Sequence, residues 1–185
     1  MYRIVVLILF TLSGCNDTMA DEVLMPDPIE QPTHFSYIAL GDSYTIGHDI
    51  PSDASFPFQL QKKLTEEGYI KVKDTKVIAK TGWSCDDLMK NISLSSVENN
   101  SYNLVTLLIG VNDQYRNIDI RYYPERFTAL LNEAIRISGD KNRVVVLSIP
   151  DYSVTPFGKN SLKVAKEIAD YNNINKSISV EMGIK

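Results

Sequence analysis

The chain has 185 residues, of which 44% are hydrophobic and 23% charged; that is enough for one domain with a substantial core and too little for a second large one. Its formal net charge is −4, or −5 without the N-terminal segment that carries Arg3, and no basic stripe runs along it, so nucleic acid is excluded as a natural partner. Two cysteines, Cys15 and Cys85, and two histidines, His34 and His48, make no cluster with metal-ligand spacing, so no metal is expected.

Arg3, an apolar run from Ile4 to Leu12 and then Leu12-Ser13-Gly14-Cys15 open the chain. A positive n-region, an apolar stretch too short to span a bilayer and small residues before a cysteine make a targeting signal rather than a structural element. The tetrapeptide resembles a bacterial lipobox. That resemblance implies a signal peptide over residues 1–15, lipid on Cys15, and a protein anchored to a membrane of the bacterial cell envelope, periplasmic or at the cell surface. Residues 16–34 are polar and acidic, with Pro26, Pro28 and Pro32 spaced through them, and read as an extended tether. With Cys15 lipidated, Cys85 has no disulfide partner and reads as a small, half-buried residue.

From residue 35 to residue 185 strand and helix signals alternate. Tyr37–Leu40 predicts a short strand. Phe56, Leu60 and Leu64 recur at i+4, with Ser55 as N-cap and Gly68 as stop. Lys76–Ala79 predicts a second strand, and Ser84 or Cys85 to Ile92 a short helix. Leu104–Ile109 is a continuous apolar strand; Phe127, Leu130, Leu131, Ala134 and Ile137 form a helical face closed by Gly139. Val144–Ile149 predicts a fourth strand, followed by a helix with Leu162, Ala165, Ile168 and Ala169 on one side. Uninterrupted apolar strands alternating with helices argue an α/β fold whose parallel sheet is covered on both faces.

In such sheets, sites lie beyond the carboxyl ends of the strands. Gly41-Asp42-Ser43 follows the first strand, Lys80-Thr81-Gly82-Trp83 the second and Gly110-Val111-Asn112-Asp113 the third. Three strand ends therefore offer a hydroxyl, a glycine N–H and a carboxamide, the parts needed to attack a carbonyl and to hold the oxyanion that forms. Each alone is ordinary turn chemistry; all three in order are not. Asp42, Asp113 and Asp151 read as turn or capping residues. Tyr44, Trp83, Tyr115, Tyr152 and Phe157 fall near the site edge, where they either line an acyl or sugar pocket or simply pack.

Gly41-Asp42-Ser43-Tyr44, Gly82 and Gly110-Val111-Asn112-Asp113 resemble the first three blocks of the SGNH (GDSL-type) hydrolases, a likeness covering the chain from about Tyr37 onward. It implies a flavodoxin-like three-layer α/β/α sandwich. It also implies hydrolysis of carboxylic or thio esters without metal or cofactor, on small-molecule, glycan or lipid esters. Ser43 would be the nucleophile, with the backbone N–H groups of Ser43 and Gly82 and the side chain of Asn112 as oxyanion donors. The G-x-S-x-G elbow of α/β-hydrolases would need glycine where Thr45 stands. A P-loop is excluded because Asn160 follows Gly158-Lys159.

One block departs from the pattern. The family's last motif, Asp-x-x-His, supplies the catalytic base, and neither His34 nor His48 has an aspartate three residues before it. The expectation is a domain incomplete at its C-terminus, lacking the last strand and helix and inactive as it stands, with the apolar edge of Val144–Leu147 exposed. The alternative is a non-catalytic, ligand-binding pseudoenzyme of the cell envelope.

Overall fold

A computed structural model describes residues 35–68, 70–99 and 102–184. The signal peptide, the lipobox at Cys15 and the tether fall outside the described residues.

Four strands, β1 (Phe35–Gly41), β2 (Val72–Ala79), β3 (Leu104–Leu108) and β4 (Val144–Val146), form one sheet in the order β2-β1-β3-β4. Every pairing is parallel, with Leu40 opposite Ile78 on one side and Leu107 on the other. Parallel neighbours need crossovers. These are supplied by α1 (Ser43–Ile46) and α2 (Phe56–Glu66) after β1, and by α3 (Cys85–Leu94) after β2. After β3 come α4 (Val111–Tyr115) and α5 (Tyr123–Ser138), and α6 (Leu162–Met182) follows β4.

Alternation along β1 sorts the core into two layers. Ile38 and Leu40 join Leu88, Ile92, Leu107, Phe127, Leu130, Leu131 and Ile168 in the larger cluster under α3, α5 and α6. Tyr37 and Ala39 point the other way, toward Phe56, Leu60 and Leu64 of α2. The hydroxyl of Tyr37, buried there, is satisfied by Thr106 Oγ1 at 2.8 Å. The expected α/β/α sandwich is therefore present.

Differences from the sequence reading have local causes. β2 begins at Val72 rather than Lys76, since an edge strand tolerates exposed Lys73 and Asp74 and even gains from their charge against aberrant pairing. β4 ends at Val146, although Leu147 N–H still reaches Leu107 O at 2.9 Å. Further on, the Asn172 carboxamide takes both backbone groups of Ile149, accepting from its N–H at 2.8 Å and donating to its C=O at 2.9 Å; a side chain thus replaces a neighbouring strand. The buried stripe of α6 is Ile168, Tyr171, Asn175 and Ser179, rotated from the expected one, and Leu162 is 86% exposed. Ser55 precedes α2, but its hydroxyl donates to Ser52 O instead of capping the helix. Cys85 is fully buried, not half-buried. Among the described residues no helix is long and apolar enough to cross a membrane.

Candidate active site

Ser43, Gly82 and Asn112 stand just beyond the carboxyl ends of three adjacent strands, β1, β2 and β3. The serine occupies the first position of α1, a single turn ended by Gly47 at φ 74°. Its N–H has no acceptor within the helix, because the first amides of any helix lack one. Asp42 caps that turn, its Oδ1 accepting the Tyr44 N–H at 3.0 Å. Close packing beneath requires Gly41: a Cβ there would sit 2.1 Å from Thr45 Oγ1 and 2.4 Å from Leu108 O.

The β3 end is built the same way. Gly110, at φ 124°, turns the chain into α4, where a Cβ would meet the Tyr123 hydroxyl at 2.4 Å and Ile149 at 2.8 Å. That hydroxyl is itself fixed by donating to Ile109 O at 3.0 Å. Asn112 follows in the first turn of α4 and donates through Nδ2 to Trp83 O at 2.9 Å, tying the β3 end to the β2 end. One hydrogen of that amide stays available, since a carboxamide nitrogen carries two. Asp113 Oδ2 accepts from the Cys85 N–H at 3.0 Å and makes a second tie between the same two loops. Gly82, at φ 85°, adopts the left-handed conformation its turn demands.

Two carboxyl groups, next to Ser43 and Asn112 in the chain, are buried: Asp42 and Asp113. Burial, aided by the nearby charge of Asp113, pushes Asp42 up to about 7, against the pull of the Tyr44 amide. Burial likewise raises Asp113, opposed by its bond from Cys85. Asp42 Oδ2 and Asp113 Oδ1 have no hydrogen-bond partner among the described residues. Asp42 and Asp151 cap as read, Asp151 accepting from Ser153 N–H at 2.9 Å; Asp113 instead lies within α4 and bonds across to Cys85.

Above them opens a cleft of about 620 Å³ lined by Ser43, Asn112, Tyr44, Tyr115, Tyr152 and Phe157, among others. Trp83 is not on its wall; it packs against the core. Tyr115 and Phe157 are tilted with ring centroids 5.8 Å apart, and Tyr152 meets Phe157 at 5.9 Å. His48 and Asp49 also line the cleft, with His48 Nε2 3.3 Å from Asp49 Oδ2. His48 follows a one-turn helix that bends the chain back, its N–H donating to Ser43 O at 3.0 Å. Among the described residues no side-chain hydrogen bond joins His48 to Ser43, and no group of histidine, cysteine and carboxylate side chains could hold a metal ion.

A profile of the GDSL-like Lipase/Acylhydrolase family matches residues 39–185. No curated protein sequence matches the chain significantly. Among solved structures, the acetyl xylan esterase AlAXEase is 17% identical with a TM-score of 0.64, over 82% of this chain and 75% of that one. AlinE4, an SGNH-hydrolase family esterase, is 17% identical with a TM-score of 0.62, over 82% and 74%. The lipase/acylhydrolase from Enterococcus faecalis is 17% identical with a TM-score of 0.60, over 81% and 73%. These likenesses establish the fold, and the profile match establishes the family. The chain belongs to the GDSL-like lipase/acylhydrolase family and is by family an ester hydrolase.

Proposed function

We propose that Ser43 is the nucleophile of a serine esterase, with the N–H groups of Ser43 and Gly82 and the Asn112 carboxamide holding the oxyanion. The observation that carries this reading is the meeting of those three residues at adjacent strand ends, with Ser43 and Asn112 on one cleft. Attack forms the Ser43 Oγ–acyl bond and breaks the ester C–O bond; the serine proton ends on the departing oxygen, so that the alcohol leaves, and water then takes the acyl group from Ser43 as the acid. No metal or cofactor enters the step. The aromatic walls suit a small acyl group or an acyl group carried on a glycan, and acylated envelope polymers or lipids are substrates in keeping with a lipid anchor at Cys15.

Turnover by this chain is slow. His48, the one histidine among the described residues, has its Nε2 turned to Asp49 rather than bonded to Ser43, and loss of a working histidine can cost about a millionfold, on the order of 8 kcal/mol of barrier. The same lack slows release of the acyl group, so the acyl-enzyme accumulates. The test is therefore incubation with p-nitrophenyl acetate followed by peptide mass mapping. Acetyl on Ser43, absent in Ser43→Ala and reduced in Asn112→Ala, is the expected result. Acetyl on lysines alone would refute the assignment. The anchor is tested separately, by membrane fractionation of a Cys15→Ser variant; retention equal to the parent would sink it.

A further inference from the structure

The Gly82 turn is gripped from one side by a single helical ledge. Asn112 and Arg116 lie four residues apart across α4 and its cap, with Arg116 N–H donating to Asn112 O at 3.0 Å, so both side chains project from one face. They take successive carbonyls of the turn: Arg116 Nη2 donates to Gly82 O, and Asn112 Nδ2 to Trp83 O at 2.9 Å. The guanidinium is aimed by Asp87, whose Oδ2 accepts Arg116 Nη1 at 3.0 Å. That same oxygen also accepts from Ser84 N–H at 3.1 Å and Ser84 Oγ at 3.0 Å, within the capping box of α3. One carboxylate thus joins the start of α3, the Gly82 turn and the end of α4.

We propose that Arg116, aimed by Asp87, is a positioning residue that fixes the direction of the Gly82 N–H. The proposal rests on the reading of Gly82 as an oxyanion donor. With the Gly82 carbonyl anchored, the peptide plane that follows Gly82 is held, and the Gly82 N–H, which lies in the preceding plane with the Thr81 carbonyl, can swing only about Thr81 ψ and Gly82 φ. Glycine offers little resistance there, since nothing but Arg116 Nη2, at 3.9 Å, approaches the position a Cβ would take. A left-handed glycine without a side chain needs an outside restraint, and the guanidinium is the group in place to supply it. The contribution is to geometry rather than to folding. The Arg116 and Asp87 side chains are 47% and 40% exposed, and ion pairs so exposed add little stability.

A lysine cannot reproduce the arrangement, because it lacks the fork that spans Gly82 O and Asp87 Oδ2 together. Where no histidine serves Ser43 as base, as proposed above, the oxyanion hole and binding supply what catalysis remains, about 10³ to 10⁴ over water. A donor displaced by about 1 Å costs up to about 10².

The experiment compares the full chain with Arg116→Ala, Arg116→Lys and Asp87→Asn by two readouts. In Arg116→Ala, the ¹⁵N order parameter of the Gly82 amide is expected to fall from the rigid range of about 0.85 to about 0.6 or below while those of the β3 amides are unchanged, and melting to shift by a few degrees at most. Acetylation of Ser43 by p-nitrophenyl acetate is expected to slow by about 10- to 100-fold with its half-saturating concentration unchanged. Arg116→Lys and Asp87→Asn should fall between. An unchanged Gly82 order parameter in Arg116→Ala would overturn the positioning role, whatever the acetylation rate. A lowered order parameter with Ser43 acetylation untouched would uphold the clamp and remove Gly82 from the oxyanion hole, which separates the two readings.

Discussion

Replacing Asp42 with asparagine isolates the cost of the buried carboxyl group next to Ser43. Asp42 has no accessible surface, its Oδ1 takes the Tyr44 N–H at 3.0 Å, and its Oδ2 has no partner among the described residues. Burial first, then the charge of Asp113, raises its pKa from 3.8 to about 7. Between those values the folded protein keeps a proton that the unfolded chain has released. Stability from this group is therefore greatest below pH 3.8, declines as pH rises, and is lost above about 7. At about 1.4 kcal/mol per pH unit, the interval amounts to about 4 kcal/mol. Asparagine has the same shape, still accepts from Tyr44 and cannot ionise. Asp42→Asn should match the parent near pH 4 and exceed its stability by several kcal/mol at pH 8, as measured by urea unfolding across that range. Asp113, raised for the same reason, leaves the variant a smaller slope of the same sign. Parallel stability curves for variant and parent, with no gain at pH 8, would show that the buried carboxylate is solvated or paired and refute the reasoning.

Gly110→Ala should lose about 3 kcal/mol or more by thermal or urea unfolding, because the new methyl meets the Tyr123 hydroxyl in a backbone conformation that disfavours any side chain. Leu107→Ala empties a fully buried site in β3, and denaturant titration should show a loss of about 2–5 kcal/mol. Cys85 lies against Asp113 with its thiol raised well above the ordinary value by burial; a thiol reagent should label it only at the rate of unfolding, and fast labelling of native protein would place it at the surface.

Much of the site could be read from sequence because its parts are local. A strand, a glycine and a short polar residue in immediate succession specify a turn and where its side chain emerges, and parallel topology then brings three such turns to one edge. Ser43, Gly82 and Asn112 each needed only their own neighbours to be found. The core faces of α3 and α5 were likewise legible from 3.6-residue periodicity, since both helices pack one stripe on the sheet. α6 was not, because its buried stripe includes Asn175 and Ser179, polar residues that a hydrophobic pattern passes over.

What the sequence could not disclose are ties between turns. Asp87 looks like half of a capping box, Arg116 like a solvated cation and Asn172 like an ordinary polar residue of a helix face; each acquires its role only when another segment arrives. Arg116 and Gly82 are 34 residues apart, and Asn172 reaches back 23 residues to complete the backbone of Ile149. These ties run from side chain to main chain, so the residue at the receiving end leaves no trace in composition. The loops at these strand ends are thus specified twice: by local turn residues that fix where each one goes, and by distant side chains that hold its main chain in place. Substitutions of the first kind should unfold the domain, as expected for Gly110→Ala, whereas those of the second, such as Arg116→Ala, should leave a folded protein with a misdirected amide. Stability measurements and the Gly82 amide order parameter, taken on the same variants, can tell these two classes apart.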